Sequence, residues 1–170
     1  MYAILTRTRI STALETPLGD LRIVTAKSTT LPWIEHLQRR LHPMIGFVPT
    51  PAQQQRIAAG DYWMLTLNGD DAGFLLLGAG TRRPLRLSQI AVHPDLWNGG
   101  IGTAATAEVL RHALTLPKPT LIADVASDLH QMQRMCTNSG AKHVSTRLYV
   151  SARKRRTLRF EWPQDLGIPL

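Results

Sequence analysis

Residues 93 to 105, HPDLWNGGIGTAA, set Gly99, Gly100 and Gly102 between a proline and an alanine-rich run. Glycine adopts positive φ without penalty and lets a ligand approach where a Cβ would block it. At a helix start the backbone N–H groups lack partners and the helix dipole favours negative charge, so such a run can cradle a phosphate or pyrophosphate. The same run can equally be a plain strand-to-helix connection, and the segment alone leaves both readings open. Two glycine signatures are excluded. A P-loop ends in Gly-Lys-Ser/Thr, and Gly102-Thr103 lacks the lysine. A dinucleotide fingerprint follows the first strand of a βαβ unit, whereas this segment follows the fourth expected strand.

A second chemistry lies in the charge. Lys and Arg number 20 against 12 acidic residues, a formal charge of +8, and 16 of the 20 are Arg. Guanidinium groups grip phosphates and carboxylates through paired hydrogen bonds, so this balance points to an anionic partner, to a site for one anionic cofactor, or simply to solubility. Metal and disulfide chemistry find little material. Cys136 is the one cysteine, and the six histidines form no HxH or HxxxH pair.

The elements that would position these residues are readable from period. LRIVTA (21–26) is a strand, and 28–44 a helix with Leu31, Ile34, Leu37 and Leu41 on one face and Arg39 and Arg40 on the other. A two-proline loop leads into a short helix stopped by Gly60. Residues 62–80 form two strands about Asn68-Gly69, a strong hairpin signal, and 86–94 is the next strand. A helix over 102–116 carries Ile101, Ala105, Val109 and Ala113 along its stripe. A strand at 120–126 precedes a helix at 127–140, capped by Ser127 or Asp128. Strands at 142–151 and 156–163 flank the basic turn ARKRR. The order β-α-α-β-β-β-α-β-α-β-β predicts one α/β (α+β mixed-sheet) domain over 1–170, with its core at about 20–163. No apolar run reaches the roughly 18–20 residues of a membrane span, and the N-terminal residues lack signal-peptide order. A soluble, cytoplasmic protein without membrane contact is expected.

The segment SQIAVHPDLWNGGIGTAATAEVLRHA resembles the central motif of the GNAT (Gcn5-related) N-acetyltransferases, Gln/Arg-x-x-Gly-x-Gly/Ala. Gly100 and Gly102 take the two glycine places, and Trp97 stands where Gln or Arg is usual. The resemblance implies a GNAT-like fold and acetyl-CoA, or another acyl-CoA, as cofactor. The amides of Asn98, Gly99, Gly100, Ile101, Gly102 and Thr103 would hold its pyrophosphate. Ile90, Ala91 and Val92 would line its pantetheine arm, with Trp97 stacked or packed beside it. The strands at 86–93 and 120–126 would splay to admit the thioester. Many GNATs protonate the leaving thiolate with a tyrosine shortly before a Gly-Phe; aligned on Gly140, that place falls on Cys136. Ser88, Asp124, Ser127 and Tyr149 are the other candidates for acid–base work. Strand alternation sets Ser88, Ile90 and Val92 on one face and Gln89, Ala91 and His93 on the other. Asp124, inside an apolar strand, calls for a partner such as an arginine or for a function.

The Gly-Phe-x-Pro loop at 46–49 and the arginine-rich RKRRTLRFEW resemble phage Mom-type DNA-modification proteins, GNAT relatives that alter adenine. That resemblance implies DNA as a partner. Arg82, Arg83, Arg153, Arg155 and Arg156 would follow phosphates, and Phe47 would stack on a base. His36, on the first helix, would face the acceptor. Family members also pair through their last strands, which implies a homodimer. Three functions stay open on sequence: acylation of a nucleic-acid base, acylation of a small amine or protein terminus, and binding by an inactive GNAT fold.

Overall fold

The structure, a computed structural model, describes residues 13–78, 85–113, 121–149 and 155–163. Along the chain run β1 (Leu14–Thr16), β2 (Gly19–Thr25), α1 (Leu31–Ile45), α2 (Thr50–Ala58), β3 (Tyr62–Leu67), β4 (Asp70–Gly78) and β5 (Leu85–Val92). Then come α3 (Ile101–Ala113), β6 (Leu121–Ala126), α4 (His130–Asn138), β7 (Lys142–Tyr149) and β8 (Arg155–Trp162). This is the expected order with one strand added in front. At three residues, β1 is too short to show a period.

The eight strands form one mixed sheet in the order β1-β2-β3-β4-β5-β6-β8-β7. Neighbours are antiparallel except β5 and β6, which run parallel. The β3–β4 turn is the one its sequence demands: Asn68 and Gly69 have φ of 53° and 96°, the positive pair a tight two-residue hairpin needs. Asn68 also accepts from Asp20 N–H at 3.0 Å and donates to the Leu18 carbonyl at 3.2 Å, which pins the β1–β2 turn beside it.

Helices cover both faces of the sheet. On one, Ile34, Leu37 and Leu41 of α1 and Ile57 of α2 pack on Tyr62, Met64, Phe74, Leu76 and Ala91. On the other, Ile101, Ala105, Val109 and Leu110 of α3 and Cys136 of α4 pack on Leu65, Leu75, Leu87, Ile90, Leu121 and Phe160. Of the stripes expected from spacing, Ile34, Leu37 and Leu41 and then Ile101, Ala105 and Val109 are buried, Leu31 is half-buried, the Ala113 side chain lies outside the described residues, and Arg39 and Arg40 are exposed.

Three local expectations change. In β5, Leu76 opposes Gln89 while Leu77 opposes Leu87, so Ser88 is the extra residue of a β-bulge. Leu87 therefore shares a face with Ile90, three residues on, which strict alternation forbids. Helix α4 starts at His130 rather than 127, with Leu129 at its cap position and no side-chain bond there, so neither Ser127 nor Asp128 occupies that place. Instead Gln133 Nε2 donates to the carbonyls of Ala126 and Ser127, tying the first turn of α4 to the end of β6. Finally, β8 starts at Arg155, one residue before the expected 156, which takes Arg155, opposite Tyr149, out of the basic turn. No described helix is long and apolar enough to cross a membrane.

Candidate active site

The site begins where the sheet opens. β5 and β6 pair only at Leu85–Leu121 and Arg86–Ile122, and beyond that they part. The bulge at Ser88 lies just past the last shared rung, where an added residue bends a strand. From there to Val92 the β6-facing edge of β5 has no ladder partner, so its groups, apart from the Val92 carbonyl that Trp97 holds, can pair with an extended ligand.

A cleft of about 790 Å³ follows this edge. Ile90, Ala91 and Val92 form one wall, and α4 residues from His130 to Asn138 form the opposite one. Trp97, Asn98, Gly100, Ile101, Gly102 and Thr103 close its end. The first bond of α3 runs from Ala104 N–H to the Gly100 carbonyl at 2.9 Å, so the amides of Ile101, Gly102 and Thr103 precede the helical ladder and point from the helix start. Each glycine has its own reason. Gly100, at φ 78°, follows Asn98 at φ 64° in a turn whose backbone is left-handed twice. Gly99 lies outside the cleft lining, and a Cβ there would run into Leu18 of the pinned β1–β2 turn. The glycines thus both turn the chain and bare a helix start toward the cleft.

Trp97 does something that its place in the motif did not suggest. Its indole Nε1 donates to the Val92 carbonyl at 2.8 Å, clamping the loop to the end of β5, while the ring remains 38% exposed at the cleft. Without the charge of a Gln/Arg-place arginine, the tryptophan braces the loop instead. The lining fits an acyl-CoA on three counts: the volume suits a ligand of that order, the helix start offers positive charge, and a strand edge lies alongside.

Behind the cleft lies a smaller cavity of about 70 Å³ between the parted strands. It shares Met44, Ile45, Ile90, Leu129, Met132 and Met135 with the cleft, and adds Ser88, Gln89, Asp124 and Cys136. Three of the five acid–base candidates therefore meet here, each in a different state. Ser88 is exposed in its bulge. Cys136 is fully buried, and that burial pushes its thiol up to about 12, so it stays protonated and is a weak donor. Asp124 accepts two bonds from Arg159, at 2.9 and 3.1 Å, and one from Arg86 Nη1. Burial raises its carboxyl, but the Arg159 bonds and the Arg86 charge outweigh this and hold it below the usual range. Committed to two guanidiniums, Asp124 is a poor base. This is the arginine pairing that an acid in an apolar strand called for.

The remaining expected residues scatter. Ser127 lines neither cavity; its N–H donates to the Arg156 carbonyl across the β6–β8 ladder. His36 is exposed on α1 and also lines neither cavity. Phe47 is 57% exposed on the loop after α1, its ring edge-on to His42. Arg156 is exposed on β8. The side chains of Tyr149 and Arg155 lie outside the described residues, as do Arg82, Arg83 and Arg153 altogether. Among the described residues no group of three or more His, Cys, Asp or Glu could hold a metal.

Sequence reasoning missed Gln38, and singled out Gln89 without its structural role: the two glutamines hold the loop after α1. Gln38 Nε2 donates to the Val48 carbonyl at 3.0 Å, and its Oε1 accepts from Val48 N–H at 3.1 Å. Gln89 Nε2 donates to the carbonyls of Ile45 and Gly46. Polar residues at otherwise buried positions of α1 and β5 were the available signal.

Comparison with known proteins decides the family. The acetyltransferase (GNAT) family pattern matches residues 30–140. The chain belongs to the GNAT family. No curated protein matches it in sequence. Among solved structures it is similar to Mycobacterium smegmatis RimJ in complex with CoA-disulfide, at TM-score 0.73 and 17% identity over 94% of this chain and 88% of that one. It is similar to the ribosomal-protein-S18-alanine N-acetyltransferase of Escherichia coli, at 0.67 and 19% over 86% and 95%. It is also similar to the spermidine N-acetyltransferase of Vibrio cholerae with CoA and spermine, at 0.70 and 13% over 85% and 95%. At these identities the likenesses establish the fold. As a GNAT member the protein is an acetyl-CoA-dependent acyltransferase, with an acyl-CoA as its cofactor.

Proposed function

We propose that this GNAT protein acylates an amine that enters the small cavity from the α1–α2 side of the sheet while acyl-CoA lies along the β5 edge. The parting of β5 and β6 directly beside an amide-lined helix start carries this reading. The amides of Ile101, Gly102 and Thr103 hold the pyrophosphate charge, aided by the helix dipole. Trp97 keeps the end of β5 and the glycine loop in register with each other. The thioester supplies an activated acyl carbonyl. In the net change a C–N bond forms and the C–S bond breaks, with one proton leaving the amine and one reaching the thiolate. Asp124 fixes the β6 wall through its arginines. Ser88, exposed at the bulge, is the hydroxyl placed to pass the amine proton toward solvent.

A second reading, a nucleic-acid base as acceptor, draws on one feature. Phe47 presents an exposed ring on a loop held by two buried glutamines, and a rigid aromatic surface can stack on an unstacked base. The test is release of free thiol from acetyl-CoA in the presence of primary amines, of an alanine-ended peptide, or of single-stranded DNA. Acceptor-dependent release with amines supports the first reading, and release with DNA alone selects the second. A protein that binds no acyl-CoA contradicts both.

A further inference from the structure

Two arginines converge beside the small cavity from different elements. Arg86 on β5 gives one of its five N–H donors to Asp124, and its side chain is still 38% exposed. Arg56 comes from the last turn of α2. Gly78 relates them: it is the residue opposite Arg86 in the β4–β5 ladder, and Arg56 reaches toward it from α2, although neither arginine lines the cavity itself. A methyl group placed on Gly78 would sit 3.3 Å from Ser88 Oγ and 3.9 Å from Arg56 Nη1. The bare Cα of Gly78 therefore leaves room for the Arg56 guanidinium and the Ser88 hydroxyl to share one small region at the edge of the cavity.

The second observation is on the cavity wall. Gln89 is only 7% exposed and lines the cavity. Its Nε2 is spent on the carbonyls of Ile45 and Gly46, which fixes the orientation of the amide, and among the described residues its Oε1 has no hydrogen-bond partner. A buried carbonyl oxygen without a donor is destabilising unless something supplies one. An amine N–H is such a donor. Unspent guanidinium donors on one side and an unspent acceptor on the other call for a ligand with both signs of hydrogen-bonding group.

We propose that the acceptor is a small amine carrying an oxyanion, a carboxylate or a phosphate, with its amine on Gln89 Oε1 and its oxyanion between Arg56 and Arg86. This rests on the amine reading above and names its substrate class. A guanidinium is suited to either oxyanion through two parallel bonds, and a cationic rim also disfavours the protonated amine, which cannot attack a thioester.

The experiment compares β-alanine, 2-aminoethyl phosphate and propylamine on the CoA-loaded protein by calorimetry, and with acetyl-CoA by thiol release. One or both of the anionic amines is expected to bind, and to react in kcat/KM, at least tenfold better than propylamine. The two anionic arms tell carboxylate from phosphate. Arg56→Gln and Arg86→Gln should each collapse that preference severalfold. Acetyl-CoA binding by each variant reports that it has folded, and should Arg86→Gln not fold once Asp124 loses a partner, Arg56→Gln carries the test alone. No preference for the oxyanion in either readout, equal loss on charged and neutral amines, or acylation of single-stranded DNA in place of these amines would overturn the proposal. The first two results leave the amine reading standing while the proposal falls; acylation of single-stranded DNA alone overturns both.

Discussion

At the scale of single residues, environment rather than identity decides what each candidate can do. Cys136, which the motif resemblance sets at the place of the family's tyrosine, lies in the core with its thiol raised to about 12. Native protein at pH 8 should therefore resist a thiol reagent that labels the unfolded chain at once; prompt labelling of the folded protein would show the thiol reachable from the cavity. Asp124 shows the opposite displacement, held below its ordinary 3.8 chiefly by Arg159 and Arg86 against the opposing effect of burial. A depressed carboxyl stabilises the fold fully above its unfolded value and loses that contribution as pH falls through the folded one. Asp124→Asn should cost about 2 kcal/mol at neutral pH, as expected for lost hydrogen bonds to charged groups. Urea midpoints of the two proteins should converge only below pH 4. What sequence showed at this scale was which positions come together: every residue assigned to the cofactor by resemblance, except Gly99, lines the one cleft. The partners of Asp124 stayed hidden because they lie 35 and 38 residues away along the chain, on other strands.

At the scale of elements, spacing revealed helices and strands but not the irregularities that make a site. Ser88 sits in a bulge, and nothing in SQIAV marks an extra residue, because a bulge is set by the register of the neighbouring strand. The late start of α4 has a similar origin: Gln133 bonds to the end of β6 and Leu129 takes the cap position, where hydroxyl residues one and two places earlier were the stronger local signal. The loop between α1 and α2 depends on Gln38, both of whose amide atoms pair with Val48. Gln38→Leu should destabilise the protein by about 2 kcal/mol, since it strands a backbone N–H and C=O together. It should also speed exchange of the Val48 amide roughly tenfold or more. Unchanged exchange there would mean that the loop is held by other contacts.

At the scale of the whole molecule, the sheet order places the only parallel pair among the described strands in its interior, one strand past the middle, and that pair opens into the cavity. The element order made this architecture legible in advance, since strands alternating with helices on both faces leave few ways to wind a mixed sheet. The charge of +8 acts at the same scale. Any binding to nucleic acid that rests on it alone should weaken steeply between 50 and 200 mM salt, as counterion release requires; filter binding at the two ionic strengths measures this. Acyl-CoA binding draws on fixed amides instead and should change far less. The most direct test of the central claim is calorimetric titration with acetyl-CoA of the wild-type protein and of Gly100→Val. The left-handed backbone at Gly100 is strained by any side chain and worst for a β-branched one. Micromolar binding by the wild type, weakened at least tenfold in a folded Gly100→Val, is the predicted result. No binding by the wild type, or equal binding by both, would contradict the assignment of this glycine turn and helix start as the cofactor cradle.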